Sequence, residues 1–143
     1  MKKIGFTCGV FDMFHIGHLN LLERCKEHCD YLIVAVCNDQ YVKEHKKKEP
    51  VIGEEERARI VGALKCVDEV HIIDSLPILD KTVARERFYF DVIFTGSDWV
   101  GSERFEKAAE GFKSRGMDVE IVFLPYTQGV SSSQLRERLK KEK

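Results

Sequence analysis

The segment DYLIVAVCN, residues 30–38, carries an unbroken apolar run from Tyr31 to Cys37. A strand with one wet face would alternate with polar residues; a run without alternation must be covered on both sides, as in a parallel sheet. Seven residues fall well short of the about 20 needed to span a bilayer. Any fold for this chain must therefore lay other elements over both faces of that strand.

The rest of the sequence supplies those elements in alternation. Strands are expected at about residues 3–8, 31–37, 69–73, 91–94 and 119–123. Helical patterns lie between them at 17–28, 54–66, 79–88 and 102–116, with a last one at 131–143. Residues 40–53, QYVKEHKKKEPVIG, read as a polar, basic loop. The expected fold is α/β, a Rossmann-like, doubly wound, five-stranded parallel sheet with helices on both faces. At 143 residues without an internal linker or repeat, residues 1–143 are expected to form one domain.

Composition narrows the function. A net charge of −1 argues against nucleic-acid binding by bulk charge. The first residues, MKKIGFTCGVFD, lack the long apolar region of a signal peptide, so a cytoplasmic protein is expected. Five cysteines, an odd number, then read as free thiols.

Sheets of this type bind ligands beyond the carboxyl ends of their strands. After the first strand comes GVFDMFHIGH, residues 9–18, which leads into a helix. His15 and His18 there could serve as a metal site, an acid/base pair, a phosphate clamp or plain helix-start residues. A helix N-terminus favours phosphate through its free N–H groups, and Gly17 allows close approach of a ligand to the backbone. Lys46, Lys47 and Lys48 follow the second strand, TGSDW (95–99) the fourth and YTQGVSSSQL (126–135) the fifth. Two helix starts, a lysine run and two histidines thus converge on one edge suited to a polyphosphate. Neither a G-x-x-x-x-G-K-[ST] loop, a G-x-G-x-x-G turn nor an H-E-x-x-H motif occurs.

With its HxGH core, GVFDMFHIGH resembles the signature of the nucleotidylyltransferase superfamily. ERARIVGALKCVDEV (56–70), GSDW (96–99) and TQGVSSS (127–133) follow in the order seen in its cytidylyltransferase branch, especially the glycerol-3-phosphate cytidylyltransferases. The resemblance implies transfer of CMP from CTP to a small phosphorylated alcohol, with pyrophosphate released. It implies catalytic roles for His15, His18, Lys47 and Arg57, with protonated histidines donating to phosphate oxygens. Nucleotide contacts would come from Gly9, Val10, Phe11, His15, Gly17, His18, Lys46, Lys48, Asp98, Trp99, Tyr126, Thr127, Gly129, Val130, Ser131 and Ser132. Acceptor contacts would come from Asp12, Lys46 and Lys81. No protein metal ligand is implied; Mg²⁺ would ride on the triphosphate and water, and a homodimer is expected. Tyr126 and Gln128 stand where cytidylyltransferases carry arginine and glutamate, and KKKEPVIGEEER resembles heptose-phosphate adenylyltransferases. The alternative is therefore an adenylyltransferase acting on a sugar phosphate or a flavin nucleotide.

Overall fold

The computed structural model describes residues 2–46, 48–125 and 132–141. Five strands, β1 (Ile4–Gly9), β2 (Tyr31–Cys37), β3 (Glu69–Ile73), β4 (Val92–Gly96) and β5 (Glu120–Leu124), pair in the order β3-β2-β1-β4-β5. Every pairing is parallel. The helices are α1 (Ile16–Glu27), α2 (Asp39–His45), α3 (Glu54–Gly62), α4 (Lys81–Phe88), α5 (Glu103–Ser114) and α6 (Ser132–Lys141). The expected doubly wound sheet is the one observed.

The apolar run of β2 divides as its period of two requires. Leu32, Val34 and Val36 join one core with Leu22 and Cys25 of α1 and Ala58 and Val61 of α3. Ile33 and Ala35 join the opposite core with Ala84 of α4 and Phe105, Ala108 and Phe112 of α5. The strand is covered on both faces, which is why it contains no polar residue. Gly5 of β1 is forced by packing: a Cβ there would come 2.6 Å from the Phe94 ring and 2.8 Å from Cys29 Sγ.

Strand order reverses between β1 and β4, so their carboxyl ends open a crevice where connections diverge. Two sequence expectations change. The stretch read as a loop from residue 40 begins instead with α2, because Asn38 Oδ1 accepts the Tyr41 N–H at 2.8 Å and caps it. Tyr41 and Val42 then bury one side of that short helix. Helix α3 stops at Gly62 rather than running to residue 66. Among the described residues, no helix is long and apolar enough to cross a membrane.

Candidate active site at the carboxyl edge of β1 and β4

The chain leaves β1 through a tight loop in which Phe11 (φ 56°) and Met13 (φ 50°) occupy the left-handed region. Such strain in non-glycine residues persists only where surrounding contacts enforce it. Asp12 provides them: it is buried, and its two carboxylate oxygens accept the N–H groups of Val51 (2.8 Å) and Ile52 (2.9 Å). The sequence places Asp12 against the acceptor; the structure uses both oxygens to brace the loop between α2 and α3.

The two histidines begin α1 as a reciprocal cap. His15 Nδ1 accepts the Gly17 N–H at 3.0 Å, and His18 Nδ1 accepts the His15 N–H at 3.2 Å. An Nδ1 that accepts is unprotonated, so these bonds assign the neutral tautomer with its proton on Nε2. The rings stack with centroids 3.9 Å apart, and Phe11 and Phe14 pack around His18. Burial lowers the His18 pKa to about 4, aided by the neighbouring His15 and opposed by Asp12. Burial likewise lowers that of His15. Without a bound phosphate the two rings are therefore neutral and can donate through Nε2. The Nε2 of His15 is buried and has no hydrogen-bond partner among the described residues, which leaves an unused donor in the strained loop.

Two cavities flank the ends of β1 and β4. The first, of about 230 Å³, is lined by Gly9, Val10, Phe11, Asp12, His18, Lys48 and Trp99 among others. The second, of about 160 Å³, is lined by Lys46, Lys81 and Arg104 together with Cys8, Cys37, Tyr41 and Ser75. Cys8, Gly9, Val10, Thr95 and Trp99 belong to both, so the cavities share a wall. Lys46 and Lys48 therefore serve different cavities, a separation invisible in a run of three lysines. Lys81, at the start of α4, is 8% exposed and makes no hydrogen bond or ion pair among the described residues. Its ammonium lies 5.7 Å from the centre of the Phe105 ring, and burial lowers its pKa.

Arg57 is expected against the triphosphate, but it lines neither cavity. Its side chain is fully buried and donates to the carbonyls of Val10 (2.7 Å), Cys37 (2.8 Å) and Ile52 (2.8 Å), and to Asp39 Oδ1. It ties the ends of β1 and β2 to α2 and the following loop. Asp98 is exposed on the short 3₁₀ turn Ser97–Trp99 and lines neither cavity. His15 and Gly17 contribute through the cap rather than the lining. Lys47, Tyr126, Thr127, Gly129, Val130 and Ser131 lie outside the described residues, and Ser132 is described only as the start of α6.

Sequence reasoning missed Arg104, whose guanidinium lies 4.8 Å from the centre of the Trp99 ring. SERFEK reads as an ordinary helix start, with arginine on its solvated side. The nearness of Trp99, five residues earlier on the turn that follows β4, was the available signal.

The sequence pattern of the family described as cytidylyltransferase-like matches residues 6–138. The chain is 33% identical to the glycerol-3-phosphate cytidylyltransferase of Bacillus subtilis (strain 168), over 97% of this chain and 98% of that protein. It is 37% identical to an FAD synthase of Thermococcus onnurineus (strain NA1), over 87% of this chain and 81% of that protein. It is also 37% identical to the bifunctional protein HldE of Koribacter versatilis (strain Ellin345), of which it spans only 27%. A lipopolysaccharide core biosynthesis protein from Thermoplasma volcanium GSS1 shares the fold with a TM-score of 0.76, at 24% identity, over 90% of this chain and all of that one. With the HxGH loop, the parallel sheet and the family match in agreement, the chain belongs to the cytidylyltransferase-like family and is a nucleotidyltransferase.

Proposed function

We propose that this protein transfers CMP from CTP to a small phosphorylated alcohol resembling glycerol 3-phosphate, with release of pyrophosphate. The observation that carries the reading is Lys81, buried in a cavity of about 160 Å³ and without a hydrogen bond or ion pair among the described residues. A buried ammonium without a partner is costly, and an incoming phosphate removes that cost. Lys46 and Arg104 line the same cavity, and no carboxylate lines it among the described residues. Its volume is below the roughly 300 Å³ at which pockets for drug-sized ligands begin. It suits a short phosphorylated polyol better than the three fused rings of a flavin nucleotide.

The adjoining cavity of His18 and Lys48 takes the triphosphate in this reading. An acceptor phosphate oxygen attacks the α-phosphorus as pyrophosphate departs in line, and charge gathers on the equatorial and leaving oxygens. Nε2–H of His18, already oriented by the cap, donates to those oxygens. His15 holds His18 in place and offers its own free Nε2–H. Lys48 neutralises charge, while Arg57 and Asp12 hold the loop. Asp12 is the only carboxylate among the described residues lining the two cavities, and its oxygens are engaged. Mg²⁺ would accordingly be carried by triphosphate oxygens and water, with charge neutralisation as its contribution. Trp99, in the shared wall, narrows the space for a base and favours the single ring of cytosine.

The second reading, adenylyl transfer, is favoured by the 37% identity to FAD synthase and by Tyr126 and Gln128. The two readings differ at Lys81. Lys81→Met is expected to raise the KM for a phosphorylated alcohol by at least tenfold while leaving the KM for CTP within about twofold, the scale of losing one charge-assisted hydrogen bond. Steady-state pyrophosphate release measures both. An unchanged acceptor KM would remove Lys81 from the acceptor site.

A further inference from the structure

Five thiols are free in this chain, and two of them stand apart from the rest. Cys8 on β1 and Cys37 on β2 line the second cavity, with sulfurs 3.9 Å apart. The register pairs Cys8 with Ala35, so Cys37 lies two residues further along and on the same face of the sheet. Ser75, just beyond β3, donates its hydroxyl to Cys37 Sγ at 3.0 Å and lies 3.6 Å from Cys8 Sγ.

We propose that Cys8 and Cys37 form an oxidation-sensitive dithiol that a small hydroperoxide converts to a disulfide, closing the acceptor cavity. The blocking effect rests on the acceptor assignment above; formation of the disulfide does not. A disulfide needs an S–S distance of about 2.05 Å, so the sulfurs must approach by about 1.9 Å, the difference from 3.9 Å. Because the pair is diagonal, with Cα atoms about 7–8 Å apart, the ends of β1 and β2 must draw together as well. The cavity gives a small oxidant its approach to both sulfurs. The Cys8 contact, the Ser75 hydroxyl and the nearby Lys46 and Arg57 favour the Cys37 thiolate and draw its pKa below the ordinary thiol value, against the effect of burial. Cys8 is held well above its ordinary value, first by its bond to Cys37 and then by burial. Burial also raises Cys25, Cys29 and Cys66. The Ser75 hydroxyl donated to its sulfur at 3.0 Å makes Cys37 the attacking sulfur.

In the first step the Cys37 thiolate attacks one oxygen of the hydroperoxide. An S–O bond forms, the O–O bond breaks, and the alkoxide or hydroxide that leaves takes a proton from water. Cys37 is then a sulfenic acid. Cys8 gives up its proton and attacks the Cys37 sulfur; the S–S bond forms, the S–O bond breaks, and hydroxide leaves and is protonated. Two thiols and one ROOH become one disulfide, one ROH and one water. The thiols lose two electrons and the peroxide gains them.

The test titrates the full chain with hydrogen peroxide, alkylates the remaining thiols and maps peptides by mass spectrometry. The expected product joins the Cys8 and Cys37 peptides with loss of two hydrogens. In Cys8→Ser, a sulfenic-acid probe is expected to label Cys37 at least tenfold faster than Cys29 or Cys66. Oxidation beginning at Cys29 or Cys66, or a Cys37 labelled no faster than they are, would overturn the assignment, and so would a Cys8→Ser protein that fails to fold beside a wild type that forms no crosslink. In the crosslinked wild type, acceptor-dependent pyrophosphate release is expected to fall at least tenfold and to return with dithiothreitol. A crosslink that leaves turnover unchanged would overturn the blocking effect. Lack of acceptor-dependent turnover in the reduced protein would instead overturn the proposed function, while the crosslink is still read by mass.

Discussion

Arg57→Met is expected to destabilise the protein by about 2–4 kcal/mol, the scale of leaving buried carbonyl acceptors without their donor. Methionine approximates the length of the side chain but supplies no N–H. The carbonyls of Val10, Cys37 and Ile52 would lose their donor, and Asp39 its cation. Urea unfolding followed by circular dichroism measures the loss. Arg57→Lys is expected to recover little, because one ammonium cannot reproduce the guanidinium fork. If Arg57 acted chiefly on triphosphate, both variants would keep near-normal stability and raise the KM for nucleotide. That outcome would contradict the buried tie seen here.

The second large effect concerns His18. His18→Ala is expected to lower kcat by roughly 10²–10³-fold, the scale of one lost transition-state donor. It also removes an acceptor from the cap, which costs about 1 kcal/mol. His18→Gln separates the two effects, since glutamine is a natural partner at this capping position. It should restore the cap, and the kcat it recovers over His18→Ala measures what a neutral N–H supplies at this position. The same residue predicts a pH dependence of stability. With a folded pKa of about 4 against an ordinary 6.5, native His18 stays neutral where the unfolded chain takes up a proton. Its contribution is therefore complete above pH 6.5 and is lost as pH falls towards 4, by an amount of the order of 2 kcal/mol. His18→Gln should flatten that part of the profile. A wild-type profile already flat between pH 6.5 and 4 would contradict the neutral His18 account.

The legible parts of this protein were those that depend on local pattern. The continuous apolar run of β2 required two covered faces, and cores of opposite parity on Leu32 and Ile33 supply them. The HxGH loop and its helix start were equally readable, because capping and strand-end placement are local properties. What escaped depends on three-dimensional packing, in two cases against partners distant in sequence. Arg57 shows a positive charge in the sequence, but not the three carbonyls and Asp39 that enclose it. Lysines 46 and 48 look alike until the fold sends them to separate cavities. The charge state of His18 follows from Phe11, Phe14 and the stacked His15 excluding water, which the histidine spacing does not reveal. Helix α2 was missed for another reason: its single Asn38 cap and two buried residues give too short a period to stand out.

The central claim is that two adjoining cavities bring a cytidine triphosphate and a small phosphorylated alcohol together. Its most direct test is pyrophosphate release with Mg²⁺, using CTP or ATP against glycerol 3-phosphate, other polyol phosphates, heptose phosphates and flavin mononucleotide. The account predicts release that requires both CTP and a polyol phosphate, with ATP poorer by at least tenfold. Release that requires ATP, and is greatest with a flavin nucleotide or a heptose phosphate, would contradict it.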